Sequence, residues 1–266
     1  MSQGSQRLKD KVIIITGGGR GLGRYFALGM AGEGAKLVIA GRTMSALEAT
    51  LKEIHKKTPD AIALKVDITS VEDTLSMAKA TMDRFGRIDV LINNAGMLER
   101  TRISRTPFWE LDLNEWDQIM EINLKGTFLC ARAVFSYMKN QKSGKIINLS
   151  SGTYLQGVPF QSHYVATKGG VIGLTRSWAR EVGDFGISVN CIAPGGTQAY
   201  DINNPGDKAD WERRQASLEK ATISNRCFKR VEYAEDLVGT AIFLASSDSD
   251  FITGQTIVVD GGANFI

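Results

Sequence analysis

Tyr164 and Lys168 stand four positions apart in Tyr164-Val165-Ala166-Thr167-Lys168. On a helix that is about one turn, so the two side chains share a face. A free phenol titrates near a pKa of about 10 and is a poor base at neutral pH, whereas a neighbouring ammonium favours its ionised form. Lys168 is therefore expected to tune Tyr164 for proton transfer. The spacing alone is common by chance, and context has to carry it. That context is Ser150-Ser151, which closes the apolar run Lys145 to Leu149. At the carboxyl edge of a parallel strand, where ligands of such sheets bind, the Ser151 hydroxyl would meet a substrate oxygen.

A second constellation lies near the start of the chain. The β-branched run Lys11 to Thr16 leads into Thr16-Gly17-Gly18-Gly19-Arg20-Gly21-Leu22-Gly23 and then a helical pattern. In that setting backbone N–H groups and a helix N-terminus hold phosphate. The glycines divide the work: Gly17 permits the turn, Gly21 lets a pyrophosphate approach, and Gly23 allows close helix packing. A plain strand-to-helix turn is the competing reading. The next strand ends in Ala40-Gly41-Arg42-Thr43, with no acid to accept a bond from a ribose 2′-hydroxyl. Arg42 can instead clamp a 2′-phosphate, with Arg20 as a second cation. NADP is the expected cofactor and NAD the alternative, and Arg42 as a solvated helix-start cation is the reading against it.

These residues need elements to position them. Short apolar runs at Lys11 to Thr16, Lys36 to Ala40, Ala61 to Val66, Ile88 to Ile92, Lys145 to Leu149, Ser188 to Ile192 and Thr256 to Val259 predict seven buried strands. Between them, Gly21 to Glu33, Met44 to Lys57, Val71 to Phe85, Asn114 to Lys139, Tyr164 to Asp184 and Ala234 to Ala245 predict helices. Such alternation implies right-handed crossovers, hence a Rossmann-type doubly wound α/β fold with a seven-stranded parallel sheet and helices on both faces. No linker, repeat or charge block divides the chain, so residues 1–266 are expected to form one domain. Residues 198–228 are polar and weakly helical, and follow a strand end; they are expected to form a substrate lid.

Composition removes several classes. The 32 Lys plus Arg against 29 Asp plus Glu leave a net charge of +3, too small for a general nucleic-acid surface. Cys130, Cys191 and Cys227 are far apart, without metal-ligand spacing or a disulfide framework, which suits a reducing cytoplasm. No apolar leader or run of about 18 apolar residues is present, so neither a signal peptide nor a membrane span is expected.

The chain resembles the short-chain dehydrogenase/reductase family over essentially its whole length. The likeness rests on the glycine-rich turn, Asp67 after the third strand, Asn93-Asn94-Ala95-Gly96 after the fourth, and Asn123 within Ile122-Asn123-Leu124. It continues through Ser151 thirteen residues before Tyr164, Lys168, Pro194-Gly195, and Val259-Asp260-Gly261-Gly262. The resemblance implies hydride transfer between a nicotinamide C4 and a secondary alcohol or ketone. It makes Tyr164 the general acid/base, Ser151 the group that polarises the carbonyl, and Lys168 the holder of the nicotinamide ribose. Asn123 would complete a proton relay through water to Lys168. The implied cofactor-binding set is Gly17, Gly19, Arg20, Gly21, Leu22, Gly23, Arg42, Asp67, Ile68, Asn94, Ala95, Gly96, Tyr164, Lys168, Pro194, Gly195 and Thr197. Of these, Asp67 would contact adenine, Asn94 the adenine-side ribose region, and Pro194-Gly195 the nicotinamide. A homotetramer pairing the last strands and two long helices is also implied.

The chain departs from the family pattern in places. The Thr usually found five residues past the Pro is Ala199 here, with Thr197 as the nearest substitute. The stretch after Gly96 is longer than expected and carries Arg100, Arg102 and Arg105, which would form a solvated loop or attract an anionic substrate. His163 is expected to be structural or at the rim, because adjacent helical residues point about 100° apart. His55 should sit on a solvated face, and Cys130 and Cys191 in the core. Trp211 and Phe228 would wall the pocket or pack the lid on itself, and Glu235 and Asp236 would serve a helix dipole. Competing functions are a 3-oxoacyl-type reductase and a non-catalytic dinucleotide-binding protein of the same fold; the chain is short for a sugar-nucleotide epimerase.

Overall fold

The computed structural model describes residues 6–97, 103–199 and 223–266. Arg100, Arg102, Trp211 and residues 200–222 of the expected lid lie outside them. The sheet strands are β1 (Val12–Thr16), β2 (Lys36–Gly41), β3 (Ala61–Lys65), β4 (Val90–Asn93), β5 (Gly144–Leu149), β6 (Ile187–Pro194) and β9 (Thr256–Val259). A separate parallel pair, β7 (Thr197–Gln198) and β8 (Glu232–Tyr233), had no signature in the sequence pattern. The helices are α1 (Gly21–Gly32), α2 (Met44–Ile54), α3 (Val71–Phe85), α4 (Leu113–Met120), α5 (Gly126–Gln141), α6 (Gly152–Gln156), α7 (Ser162–Val182) and α8 (Glu235–Ala245).

The seven long strands are all parallel, in the order β3-β2-β1-β4-β5-β6-β9. Alternation along each strand feeds two apolar layers. Ile13, Ile15, Leu37 and Ile39 pack with Phe26 and Met30 of α1 and Leu237 and Ile242 of α8. Ile14, Val38 and Leu91 pack on the other face with Met77 of α3 and Val134 of α5. Every residue of β1 is buried. This is the open Rossmann-like α/β fold in one domain that the strand–helix alternation implies.

Chain order reverses between β1 and β4, which are neighbours in the sheet. A crevice therefore opens past their carboxyl ends, where such folds bind ligands. The turn after β1 carries the glycines, and Asn94 to Gly96 follow β4.

The expected helix from Asn114 to Lys139 is two helices joined by one π turn, Glu121–Lys125, in which the Gly126 N–H reaches back to the Glu121 carbonyl. Hydrophobic periodicity is blind to this change. Its local anchor is Asn123, whose side chain is bound by the backbone of Met97 and whose carbonyl accepts from Thr127 Oγ1 at 2.8 Å. Single π turns inside α-helices are frequent at functional sites.

Candidate active site

The crevice begins with a backbone cradle. Gly17, at φ +68°, donates its N–H to the Ala40 carbonyl at 2.7 Å and so ties the end of β1 to β2. A Cβ on Gly23 would lie 2.3 Å from the Gly17 carbonyl oxygen, so only glycine lets α1 come this close. A Cβ on Gly21, at φ +55°, would meet nothing within 4 Å. That position opens onto free space. Leu22 packs against the apolar layer below, and the Gly19 carbonyl accepts from Thr50 Oγ1 at 3.0 Å. Helix α3 is capped by Ser70, which accepts from the Asp73 N–H, whereas α1 has neither a capping side chain nor an acid in its first turn. Among the described residues no side chain caps its first N–H groups, the arrangement an anion site requires.

Asn94 braces this cradle. Its Nδ2 donates to the Thr16 carbonyl at 2.9 Å, while Thr16 Oγ1 accepts from the N–H groups of Asn94 and Ala95 at 3.1 and 3.0 Å. The amide expected near a ribose is thus committed to shaping the loop. At the other end, Arg42 and Arg20 are both exposed. Asp67 Oδ1 accepts from the N–H and hydroxyl of Thr69 at 3.0 and 2.8 Å, and these bonds hold its carboxyl below the usual range. The Arg42 charge acts in the same direction. Ile68, buried beside Asp67, fills the space against Gly126, where a Cβ would lie 2.6 Å from Ile68 Cδ1.

Side chains make the opposite end. Ser151 follows β5, is buried, and caps α6 by accepting from the Thr153 N–H at 3.3 Å. Tyr164 and Lys168 lie one turn apart on α7, both buried, with Lys168 Nζ 5.6 Å from the Tyr164 ring centroid. Burial pushes the Tyr164 phenol up to about 12, with the Ser151 hydroxyl opposing by a hydrogen bond. Burial likewise pushes Lys168 down to about 8. Its ammonium donates to the Leu149 carbonyl at 2.9 Å.

Asn123 is almost fully buried. Its Oδ1 accepts from the Met97 N–H at 2.7 Å, and its Nδ2 donates to the Met97 carbonyl and Thr167 Oγ1, both at 3.3 Å. Asn123 therefore locks the loop after β4 onto α7, and its amide points at Met97 and Thr167, not at Lys168. Gly96 fits into the same corner: a Cβ there would lie 3.0 Å from Asn123 Oδ1 and 4.0 Å from Lys168 Nζ.

Sequence reasoning missed several partners. Asn93 and Asn148, paired in register across β4 and β5, form a buried bond of 2.9 Å, and Asn148 continues to Thr175 of α7 at 3.0 Å. Two asparagines at matching strand ends were the only signal. His163 is fully buried, with Nε2 3.0 Å from Glu115 Oε1, which also accepts from the Ser104 N–H. It joins α7, α4 and the segment that precedes α4, and its full burial excludes the rim placement. His55 is exposed beside the Ala61 carbonyl at 3.2 Å, and Cys130 and Cys191 are buried. Asp236 pairs with Arg230 at 2.6 Å besides standing in the first turn of α8. Phe228 is exposed and its N–H donates to the Gly261 carbonyl.

A groove of about 390 Å³ flanks the start of α7, lined by Pro107, Phe108, Trp109, Val158, Phe160 and Val165, among others. Phe108 and Trp109 pack edge to face and are 73% and 68% exposed. Phe160 holds the left-handed conformation, φ +64°, with its carbonyl accepting from the Thr106 N–H at 3.1 Å.

A phosphate-accepting cradle and a buried Ser–Tyr–Lys corner at the two ends of one crevice fit a nicotinamide dinucleotide. A family model described as short chain dehydrogenase matches residues 11–209. The chain belongs to the short-chain dehydrogenase family. It is an oxidoreductase acting between CH–OH and ketone groups with a nicotinamide cofactor. The chain is 38% identical over 254 residues to the 3-oxoacyl-acyl-carrier-protein reductase FabG of Staphylococcus aureus, covering 95% of this chain and 97% of that protein. It is 37% identical over 255 residues to BbsD of Thauera aromatica, a subunit of a hydroxy(phenyl)methyl-succinyl-CoA dehydrogenase, covering 96% and 97%. The crystal structure of levodione reductase superposes with a TM-score of 0.86 at 34% identity, covering 96% of this chain and 97% of that one. Among the described residues of this short-chain dehydrogenase, no helix is long and apolar enough to cross a membrane.

Proposed function

We propose that this dehydrogenase is an NADP-preferring ketone reductase, or secondary-alcohol dehydrogenase in the reverse direction, with Tyr164 as general acid/base. The observation that carries the reading is the buried corner itself, where Ser151, Tyr164 and Lys168 converge past the carboxyl ends of β5 and its neighbours. Ser151 orients and polarises the substrate carbonyl. A phenol held near 12 stays protonated at neutral pH, so Tyr164 is set to give its proton to the substrate oxygen as the carbonyl is reduced. Lys168 holds the nicotinamide ribose and, once drawn from the Leu149 carbonyl, lowers the cost of the phenolate. The nicotinamide cofactor, when bound, supplies or accepts the hydride. Asn123 keeps the loop after β4 seated against α7.

Arg42, with Arg20 across the cradle, supports NADP over NAD, since the end of β2 offers cations and no acid to the 2′ position. The apolar groove at the start of α7, lined by Phe108, Trp109, Phe160 and Val165, favours a carbonyl flanked by an aryl or cyclic group. A 3-oxoacyl thioester is the second reading, favoured by the likeness to the acyl-carrier-protein reductase. Assembly as a homotetramer in the cytoplasm completes the proposal. Leu129, Val134 and Ile172 of the two long helices are buried within one chain, but Phe128 of α5 and Trp178 of α7 pair at 6.3 Å with Phe128 exposed. Light scattering giving 29 kDa at micromolar concentration would refute the tetramer.

The test of function is a panel of aryl, cyclic and 3-oxoacyl ketones assayed at 340 nm with NADPH and NADH. Turnover is expected with NADPH and the apolar ketones. No turnover of any ketone with either cofactor would overturn the proposal, and activity confined to 3-oxoacyl thioesters would select the second reading.

A further inference from the structure

The nicotinamide-side segment Pro194 to Thr197 rests on a buried ion pair that the catalytic corner does not use. Arg226 and Glu232 approach to 3.2 Å with side chains 2% and 5% exposed. Thr197 Oγ1 donates to Glu232 Oε1, and Thr197 and Glu232 are register partners in the β7–β8 pair. The same Arg226 Nη2 donates to the Gly196 carbonyl at 3.2 Å, and Nη1 donates to the Arg230 carbonyl. Gly195 has no room for a side chain: a Cβ would lie 2.6 Å from Glu232 Oε2, 2.8 Å from Asp260 Cβ and 3.1 Å from Arg226 Nη2. Three consecutive residues after β6 are thus held from below by one charged pair.

We propose that Glu232 and Arg226 are positioning residues for the nicotinamide half of the cofactor, acting through Gly195, Gly196 and Thr197. This rests on the reading that Pro194 to Thr197 faces the nicotinamide. It assigns a role to Thr197 that its position three past Pro194 does not reveal: the hydroxyl proton is directed to Glu232, which leaves the oxygen lone pairs as acceptors for an amide N–H such as a carboxamide. Charge is the working element, because a buried guanidinium left without its carboxylate is strongly unfavourable and would have to move.

The pair also sets a pH dependence. Burial pushes the Glu232 carboxyl up to about 7, against the opposing effects of Thr197 and Arg226, and Asp260 adds to the rise. Arg230 faces it too, itself paired with Asp236. The carboxylate exists above that value and is lost as pH falls through it, so positioning weakens toward pH 6.

The experiment measures, by calorimetry, the affinity of the full-length protein for NADPH and for 2′,5′-ADP, which lacks the nicotinamide half. Glu232→Gln should weaken NADPH binding about tenfold and leave 2′,5′-ADP unchanged, the fragment serving as the check on folding. In the wild type the NADPH advantage over the fragment should shrink from pH 8 to pH 6, and in Glu232→Gln it should be flat. If the single variant does not fold, Glu232→Gln combined with Arg226→Met, which leaves no unpaired guanidinium, should show the same selective loss. An unchanged NADPH advantage in the folded Gln variant overturns the proposal. If Thr197→Val reduces that advantage while Glu232→Gln does not, only the positioning role falls. If neither reduces it, the assignment of Pro194 to Thr197 to the nicotinamide falls as well.

Discussion

The two ends of the crevice are built by different means. At the cradle, Gly17 and Gly23 let the turn and α1 close on each other because neither carries a Cβ, and Gly21 leaves open space where nothing lies within 4 Å. At the corner, Ser151, Tyr164 and Lys168 are buried side chains, and the burial that positions Tyr164 and Lys168 also moves their acidity. One end is built from steric permission and the other from desolvated charge. Substitutions should therefore fail differently at each: by shape at the cradle, with stability and binding lost together, and by protonation at the corner, where function can be lost from an intact or firmer fold.

The largest expected effect is at Gly23. Gly23→Val places a branched side chain where even a Cβ would sit 2.3 Å from the Gly17 carbonyl. Overpacking of this kind costs about 1–3 kcal/mol, and displaced phosphate contacts lose ~1.5–3 kcal/mol each. Calorimetry with NADPH and a denaturant melt should show both losses. Gly21→Ala sharpens the contrast, since its Cβ meets nothing and only the φ of +55° opposes it. A smaller loss of stability, about 1–2 kcal/mol for the left-handed conformation, should accompany a clear loss of binding.

Next is Arg42→Asp, which replaces a charge-assisted contact with repulsion. Losing the contact alone is worth ~1.5–3 kcal/mol, or about 10- to 100-fold in NADPH affinity, while NADH binding should hold or improve. Paired kcat/KM values for the two cofactors check this. Equal losses for both would return Arg42 to a solvated helix-start cation.

The smallest effect is expected at Lys168 and has the opposite sign. Its pKa falls from 10.5 to about 8 on folding, so below pH 8 the protein carries an ammonium it would rather release. The unfolded chain binds the extra proton between those values, and wild-type stability rises with pH across that window. Lys168→Met should therefore raise Tm at pH 7 by a few degrees, less whatever the lost bond to Leu149 contributes. The gain should shrink toward pH 10, and turnover should fall throughout. A lowered Tm at pH 7 would break the contrast between the two ends.

The same contrast explains what the sequence made legible. The cradle is local: a β1 apolar up to Thr16, a glycine turn and an uncapped α1 follow one another within about twenty residues, and each leaves a mark in residue type. The sheet is legible for the same reason, as alternation is a local signal. What escaped depends on contacts across the chain. The π turn at Glu121–Lys125 has no periodicity of its own and exists beside Asn123, which holds Met97 twenty-six positions away. The β7–β8 pair joins residues thirty-five positions apart, and a single glutamate in a polar stretch gives no hint that it is buried. His163 was ambiguous until Glu115, forty-eight positions away, supplied its partner. The residues of the corner were legible as a pattern. Their electrostatics were not, because the burial that raises the Tyr164 phenol comes from packing across the whole chain.

On the proposed function, Tyr164 moves the proton while the rest of the crevice holds the reactants. The most direct test is single-turnover reduction of an accepted ketone by enzyme-bound NADPH, followed at 340 nm in wild type and Tyr164→Phe. The phenyl ring keeps the packing and removes only the transferable proton, so the account predicts unchanged NADPH affinity and a rate lowered by about 10²–10⁴. A Tyr164→Phe enzyme that consumes bound NADPH within a fewfold of the wild-type rate would contradict it.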